Sequence, residues 1–193
     1  NKTNSYFVPN PCDDSIETLS NYKNHCSNDV FFALSHGVHR GKLKIGKTDD
    51  RINFLNKLQE NTPDIKFDIY GINKVQPIWA DHYFKTISNA KMGLNLSRGE
   101  AIKYYSSDRI TQIVGNGLVC LIDEKTKYQN FFNDNEMVFY KNTNDLSEKI
   151  LRVSSDDKLR KKIAKRGKLK YMKYFNSDLV SQFMFDKIFD FKS

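Results

Sequence analysis

The chain has 193 residues, of which 39% are hydrophobic and 28% are charged, and it carries a net charge of +8. These values are typical of one globular domain, or at most two small ones, and they exclude a disordered or fibrous protein. No apolar run is long enough to span a bilayer, and the polar start lacks the apolar core of a signal peptide. The cytoplasm is therefore the expected compartment, with attachment to the inner face of the membrane left open.

The positive charge is concentrated in one region. Residues 141–173 contain twelve lysines and arginines against four acidic residues, so the rest of the chain is neutral overall. Such a region makes a basic nucleic-acid-binding module one alternative function. The cysteines Cys12, Cys26 and Cys120 form no CxxC pair and no Cys/His cluster at zinc spacing. This pattern predicts reduced structural thiols, and we expect no metal site.

Five short apolar runs bounded by turn residues have the length of buried strands. They are residues 29–34, 66–70, 92–96, 118–122 and 136–140. Segments with helical periodicity alternate with these runs, and Asp49 or Asp50, Asp81 and Asp108 are the candidate N-caps of three helices. The alternation predicts an α/β fold, a doubly wound parallel sheet of the Rossmann-like type with helices on both faces.

The two ends of the chain depart from this alternation. Residues 1–28 are polar and turn-rich, with two prolines, and are predicted to be a connector into a domain formed by residues 29–176. Residues 177–193 are predicted to contain a last helix with more apolar surface than one small sheet covers. We therefore expect this helix to pack against an N-terminal domain that the chain does not contain.

Small, polar and basic residues follow the predicted strands where the strands end. Ligands of an open parallel sheet bind in the crevice beyond these carboxyl ends. Glycine allows a backbone to approach a phosphate closely, and arginine can donate two hydrogen bonds to phosphate oxygens. This edge of the sheet therefore suits a nucleoside diphosphate. The candidate residues are Ser35, His36, Gly37, Arg40, Arg51, Gly71, Asn73, Gln76, Ser97, Arg98 and Arg109.

Each of these features also has a structural interpretation. Residues 35–37 can be a plain strand-to-helix turn, and the arginines can be solvated surface charges. Trp79 is predicted to lie in the core rather than to stack on a base. The basic helix over residues 158–173 is predicted to be a solvated face. Its inward-facing residues are predicted to be Leu159, Ile163, Leu169 and Met172.

Three short enzyme motifs are missing from the sequence. It contains no GxSxG elbow, no HExxH pair and no GxGxxG run. These absences exclude α/β-hydrolases, zincins and the standard dinucleotide-binding Rossmann proteins.

The order of several longer segments resembles a known family. Residues 83–98 and 107–122 are similar to the carboxyl-terminal half of GT-B glycosyltransferases, closest to the group-1 and spore-maturation CgeB-like proteins. Residues 7–11 resemble the interdomain connector that opens this domain. The similarity extends to residues 135–140, 144–150 and 157–167.

The resemblance implies a function and roles for particular residues. In this family the domain binds a nucleotide-sugar donor, such as a UDP-sugar or GDP-sugar, and a preceding Rossmann-like domain supplies most of the acceptor site. By this resemblance, residues 35–40 and Arg51 lie by the diphosphate and residues 71–76 frame the base. The residues that would face the phosphates and the sugar are Ser97, Arg98, Ser107, Asp108 and Arg109.

Two positions depart from the family pattern. Gln112 stands where many members have a glutamate that binds the ribose hydroxyls, and Tyr104 stands where retaining members often have a glutamate near the donor sugar. An amide can hydrogen-bond a diol but loses the charge-assisted contact. The departures leave a second alternative function, a non-catalytic nucleotide-binding or assembly protein with an eroded site.

The mechanism that the resemblance implies is electrostatic. Cationic side chains and helix N-termini would neutralise the charge that develops on the leaving diphosphate. This account requires no metal or other cofactor, and an acceptor base would lie outside the chain. We therefore expect a hexosyltransferase-like domain that binds its donor but does not turn it over alone.

Overall fold

A computed structural model describes residues 5–34, 49–105 and 107–189. Over these residues, a single sheet contains five strands in the order β2-β1-β3-β4-β5, and each neighbouring pair is parallel. The predicted α/β fold with a doubly wound parallel sheet is confirmed. The strands are β1 Asn28–Ala33, β2 Phe67–Tyr70, β3 Ala90–Asn95, β4 Val119–Asp123 and β5 Val138–Tyr140.

Helices cover both faces of the sheet. They are α1 Asp50–Asn61, α2 Ala80–Ile87, α3 Asp108–Gly115, α4 Thr143–Ser155, α5 Asp157–Tyr174 and α6 Ser177–Ile188. Asp49 caps α1 as predicted, because its side chain accepts a hydrogen bond from the backbone of Arg51. Two predicted caps are wrong. The N-caps of α2 and α3 are Trp79 and Ser107, and neither side chain makes a capping hydrogen bond.

Successive strand residues enter two separate core layers. Val30 and Phe32 of β1 lie in the layer that also contains residues of α1 and α4, whereas Phe31 lies in the layer with residues of α2 and α3. This alternation follows from the two-residue period of a strand that is buried on both faces. Close packing also requires a glycine at Gly93 of β3, where an added Cβ would lie 2.4 Å from the side chain of Ile113.

The start of the described chain is tied to the C-terminal helices. The backbone N–H of Cys12 donates to the carbonyl of Phe175, and the backbone N–H of Ser177 donates to the carbonyl of Cys12, each at 2.9 Å. The fully buried Arg160 of α5 donates to the carbonyls of Asn21 and Asn24 at 3.1 Å. Residues of the predicted connector therefore pack on the domain.

Two side chains predicted to be buried are exposed. Trp79 is 60% exposed, and Leu169 is 55% exposed. Leu169 misses the core because the inward stripe of α5 has a different phase from the predicted one. That stripe consists of Arg160, Ile163, Ala164, Gly167 and Tyr171. None of the helices in the described ranges has the length and apolar character needed to cross a membrane.

Candidate functional site

The sheet has a topological switch point between β1 and β3. The chain leaves β1 to form β2 on one side and later returns to form β3 on the other side, so the carboxyl ends of β1 and β3 border a crevice. A pocket of about 280 Å³ lies at this edge. The residues of its lining that the site uses are Ala33, Trp79, Tyr83, Asp108, Arg109 and Gln112.

The guanidinium of Arg109 spans the crevice. Its Nη1 donates to the carbonyl of Leu96 at 3.1 Å, and its Nε donates to the carbonyl of Ala33 at 3.4 Å. The same group lies 5.2 Å from the centre of the Phe32 ring. These contacts hold Arg109 between the ends of β1 and β3. Its Nη2 has no hydrogen-bond partner among the residues that the structure describes.

The positive charge of Arg109 is partly desolvated and is offset only in part by the nearby charge of Asp108 among the described residues. Burial, followed by the nearby charge of Arg51, lowers the pKa of Arg109. Across residues 5–34, 49–105 and 107–189, no acidic side chain forms an ion pair with it. A partly desolvated cation without an ion-pair partner favours binding of an anion.

Arg51 lies at the start of α1 and already has a partner. Its Nε and Nη2 donate to the two carboxylate oxygens of Asp49 at 2.9 Å and 2.6 Å. The hydrogen bond from Arg51 is the main reason that the pKa of Asp49 falls to about 2. Arg51 therefore contributes less free positive charge to the crevice than Arg109 does.

The segment after β3 lies against the same helix start. The backbone N–H of Gly99 donates to the carboxylate of Asp50 at 3.0 Å. Ser97 and the exposed Arg98 precede this contact, and they follow Leu96, whose carbonyl accepts from Arg109. The structure thus brings the predicted residues of this segment to the edge that holds Arg109.

Gln112 is oriented by a tyrosine. The hydroxyl of Tyr83 donates to Oε1 of Gln112 at 2.5 Å. Burial raises the pKa of Tyr83, so the hydroxyl keeps its proton and remains a donor. Because Oε1 accepts this bond, the amide nitrogen of Gln112 is left as the group that can donate to a ligand in the pocket.

Asn95 is a further polar residue at this edge. It is the last residue of β3 and is 3% exposed, and its Oδ1 accepts a hydrogen bond from Ser107 at 3.3 Å. Its buried Nδ2 has no hydrogen-bond partner in the described part of the chain. The sequence pattern does not predict Asn95 as a site residue, because it lies within an apolar run that predicts a strand. A polar residue at the end of such a run is the signal that marks it.

Close packing and a positive φ both favour glycine at the start of the loop after β2. A Cβ on Gly71 would lie 2.1 Å from the carbonyl oxygen of Leu34, and its φ of +77° is a conformation that favours glycine. Asn73 also has a positive φ, and its amide donates to the side chain of Asn56 at 3.1 Å. Gln76 is exposed, with no hydrogen bond to another described residue.

Of the remaining predicted residues, Asp108 lies within the described part of the chain and the others do not. Asp108 is exposed at the start of α3, where its carboxylate accepts from the backbone N–H of Arg109 at 2.9 Å. Four predicted residues lie outside the described residues: Ser35, His36, Gly37 and Arg40. The stretch 35–48, to which they belong, contains four lysines and arginines and no acidic residue.

The stretch 35–48 contains a further pattern that the candidate residues leave out. Residues 41–48 read Gly-Lys-Leu-Lys-Ile-Gly-Lys-Thr and match GxxxxGK[ST], the phosphate-binding loop that joins a strand to a helix in P-loop NTPases. Seven residues separate the end of β1 at Ala33 from Gly41, whereas a P-loop follows its strand directly. The pattern itself lies outside the described residues.

No metal centre is evident among the described side chains. Within those ranges, His, Cys, Asp and Glu residues nowhere form a group of three or more that could hold a metal ion.

Comparison with known proteins identifies the fold and the family. No curated protein matches the sequence. TarM from S. aureus, in a complex with fondaparinux, alpha-GlcNAc-glycerol and UDP, has a TM-score of 0.59 at 14% identity, over 85% of this chain and 36% of that chain. HepE from Anabaena in complex with UDP has a TM-score of 0.61 at 9% identity, over 88% of this chain and 50% of that chain.

A third structure matches almost end to end. The C-terminal domain of a group 1 glycosyl transferase, LpcC from Francisella tularensis, has a TM-score of 0.51 at 12% identity, over 88% of this chain and 97% of that domain. The present chain thus spans half or less of the TarM and HepE chains. The resemblance to the carboxyl-terminal domain of GT-B glycosyltransferases is confirmed. The glycosyl transferase-like family model matches residues 51–186, so the chain belongs to that family.

Proposed function

We propose that this chain binds the nucleoside-diphosphate sugar of a glycosyltransferase that transfers a hexosyl group, and that the diphosphate occupies the crevice between β1 and β3. The observation that carries the proposal is Arg109. Main-chain carbonyls of both strand ends hold its guanidinium, and no described carboxylate pairs with it. UDP in the TarM and HepE structures of similar fold supports a nucleotide ligand.

Electrostatics favour a ligand with several negative charges. Arg51 lies near enough to Arg109 to lower its pKa, so the two cations repel each other in a partly desolvated site. A diphosphate would relieve this repulsion. The stretch 35–48 follows β1 in the chain and can add only positive charge.

We propose the following roles for the other residues. The amide nitrogen of Gln112 would donate to the ribose, because its oxygen is already occupied by Tyr83. Asn95, the residue that the sequence pattern left out, would donate its unpartnered amide N–H to a phosphate or to the sugar. The proposed diphosphate contacts are Ser35, His36, Gly37, Arg40 and Arg51, the proposed base contacts are Gly71, Asn73 and Gln76, and the residues proposed to face the phosphates and the sugar are Ser97, Arg98, Ser107, Asp108 and Arg109.

The proposed chemistry is stabilisation of the leaving group. As the bond between sugar and diphosphate breaks, negative charge grows on the leaving phosphate oxygen, and Arg109 is already fixed in position to neutralise it. We propose that no metal ion takes part. The proposed acceptor base lies outside this chain, so the chain alone would bind the donor without transfer.

We also propose a preceding domain that supplies the acceptor site and covers α6. The outward side chains of α6 include Phe185, which is 56% exposed, and Ile188, which is 68% exposed. Tyr6, near the start of the chain, meets Phe183 of α6 at a ring distance of 6.2 Å. A preceding domain would therefore join this chain beside the exposed apolar face of α6. The proposed compartment is the cytoplasm.

Calorimetric titration with UDP, GDP and their sugars tests the donor site. We expect one of them to bind, and we expect Arg109→Met to weaken that binding at least about tenfold, because it removes charge-assisted hydrogen bonds to phosphate. Arg152→Met is the matched control, since Arg152 is exposed on α4 and away from the crevice. Circular dichroism confirms that each variant folds. Equal affinity of the two variants, or no binding at all, overturns the proposal.

A measurement of ATP hydrolysis distinguishes the proposed donor-binding domain from a P-loop enzyme. If residues 41–48 formed a catalytic phosphate loop, the protein would hydrolyse ATP, and Lys47→Ala would abolish that activity. We expect no such hydrolysis. ATPase activity that depends on Lys47 would replace the proposed function.

A second candidate function is nucleotide binding without transfer. The ring of Tyr104 packs 5.1 Å from Phe131 and 5.3 Å from Phe7, and its hydroxyl accepts from Asn130. The position at which the family resemblance implies a glutamate near the donor sugar in retaining members thus holds an aromatic side chain inside an aromatic cluster. Release of UDP from a UDP-sugar by the protein together with its preceding domain distinguishes the two functions. Binding without any release supports the second.

A further inference from the structure

The outward face of α5 carries a line of cations. Five exposed basic residues follow one another at helical spacing, and we name them the basic stripe: Lys158, Lys162, Lys165, Arg166 and Lys173. Steps of three and four residues place side chains on one face of a helix. The helix has 18 residues and is about 27 Å long, so the stripe presents its charges along a nearly straight line.

The other cations of α5 have hydrogen-bond or ion-pair partners, whereas those of the basic stripe have no such partner among the described residues. Arg160 and Lys161 pair with Asp157, and Lys170 pairs with Glu136. Lys168 donates to main-chain carbonyls. In the described part of the chain, no acidic side chain forms an ion pair with a residue of the stripe. The inner cations of α5 therefore serve the fold, whereas the contact recorded for the stripe within the described ranges is that of Lys173, which lies 5.0 Å from the centre of the neighbouring Tyr174 ring.

Apolar side chains lie within the stripe. Leu169 stands between its two halves and is 55% exposed, and Tyr174 at its end is 54% exposed. These two residues line a shallow groove of about 450 Å³ together with Arg166 and Lys173. Cations that surround exposed leucine and tyrosine are typical of protein faces that rest in the headgroup region of a bilayer.

We propose that the basic stripe, with Leu169 and Tyr174, docks this domain on a membrane surface that contains anionic phospholipids. The cations would bind lipid phosphates, and the two apolar side chains would enter the boundary between headgroups and acyl chains. The proposal does not depend on the donor site, because none of these residues lines the crevice.

Two observations favour a membrane over nucleic acid as the partner. Four of the five cations are lysines, which act as point charges, whereas arginine is the residue that makes forked contacts with nucleic-acid phosphates and bases. Leu169 stands at the middle of the stripe, where a phosphodiester backbone offers nothing apolar to contact. A lipid surface satisfies both the charges and this leucine.

Docking would place the bilayer near the donor crevice. Tyr171, one turn before Tyr174, donates to the carbonyl of Asn10 at 2.9 Å and meets the hydroxyl of Thr111 on α3 at 3.4 Å. Helix α3 also carries Arg109. The Lys173 end of the stripe therefore lies toward the edge of the sheet that holds the crevice.

Vesicle cosedimentation tests the docking. The full chain is mixed with phosphatidylcholine vesicles with and without phosphatidylglycerol. We expect binding only to the vesicles with phosphatidylglycerol. The triple variant Lys162→Glu, Lys165→Glu and Arg166→Glu should bind them at least about a hundredfold more weakly. The control Lys57→Glu, Lys85→Glu and Lys125→Glu makes the same change of net charge at exposed lysines outside α5 and should bind nearly as the parent does.

A second pair of variants separates lipid from polyanion binding. Leu169→Ser with Tyr174→Ser keeps every charge, so it should weaken vesicle binding severalfold and leave binding to single-stranded RNA unchanged. Unfolding midpoints confirm that both sets of variants fold. Equal losses in the two triple variants overturn the proposal, as does the absence of vesicle binding. Two results together would assign the stripe to nucleic acid instead. The triple stripe variant would abolish RNA binding, and Leu169→Ser with Tyr174→Ser would leave vesicle binding unchanged.

Discussion

Asp29 at the amino edge of the sheet and Arg109 at its carboxyl edge differ in how their charges are paired. At the amino edge, the carboxylate of Asp29 accepts hydrogen bonds from Lys91 at 2.8 Å, from the backbone of Lys66 at 3.0 Å and from the hydroxyl of Ser154. At the carboxyl edge, the guanidinium of Arg109 donates only to main-chain carbonyls within the described part of the chain, and the buried amide nitrogen of Asn95 has no partner there.

The difference separates polar groups that stabilise the fold from those available to a ligand. A buried polar group that lacks a partner costs free energy, so folded proteins pair nearly all of them. At the amino edge Asp29 follows that rule, although Oδ1 of the buried Asn21, which lies beside the start of β3, has no hydrogen-bond partner among the described residues. The carboxyl edge departs from it where a parallel sheet binds its ligands, so the missing partners there fit an anion that arrives from solution.

The largest expected effect on stability comes from loss of the buried hydrogen bonds of Arg160, on the amino side of the molecule. Replacement of Arg160 by methionine should lower the free energy of unfolding by about 3 kcal/mol, because the carbonyls of Asn21 and Asn24 lose their donor. Urea unfolding measures the change. Lys161→Met is the control, since Lys161 pairs with the same Asp157 at an exposed site, and about 0.5 kcal/mol or less is expected there. Similar losses in both variants would contradict the contrast between buried and exposed pairs.

A smaller effect is expected at the Asp29 cluster. Burial alone would raise the pKa of Asp29, but its hydrogen bonds from Lys91, Ser154 and the Lys66 backbone outweigh burial, and the net pKa is lowered. Asp29→Asn should therefore cost about 2 kcal/mol of stability near neutral pH. Because the pKa is lower in the folded state, the advantage of the parent protein is complete above the ordinary value of 3.8 and disappears as the pH falls through the lowered value.

Unfolding midpoints measured across the acid range check this dependence. Asp64→Asn, at an exposed carboxylate, is the matched control and should change stability little at any pH. Nucleotide affinity should be the same in both variants. A loss of stability that grows as the pH falls would contradict the assigned direction of the shift, and weakened nucleotide binding would remove the distinction between the two edges.

The smallest effect is expected at Gln112. In Gln112→Glu the carboxylate still accepts from Tyr83, and its second oxygen can accept from a ribose hydroxyl in a charge-assisted bond. UDP binding should tighten by about fivefold, as measured by calorimetry. Gln59→Glu on the exposed face of α1 is the control. A UDP analogue without ribose hydroxyls should gain nothing, and an equal gain with that analogue would place Gln112 away from the ribose.

The sequence predicted the elements better than the contacts. Its apolar runs located all five strands of the described sheet to within a few residues, because period and turn residues are local properties. Asp49 was predicted as a cap for the same reason. Trp79 and Leu169 were assigned to the core wrongly, since burial depends on which neighbours pack against a helix and at what phase.

The candidate site shows the same division. The prediction that Arg98 and Arg109 meet at one edge rests on the parallel order of the strands, and the structure places both at the carboxyl edge. The partner of Gln112 was not predictable, because Tyr83 lies 29 residues away and meets it through the packing of α2 against α3. The roles of these residues toward a ligand stay predictions.

Local chemistry thus decided the alternation of strands and helices, the concentration of positive charge in residues 141–173 and the family resemblance, because each depends on the order of residue types along the chain. Only the tertiary structure decided which charges are paired. Pairing depends on distances between residues far apart in the chain, and these distances left Asp29 with three donors and Arg109 without a described carboxylate.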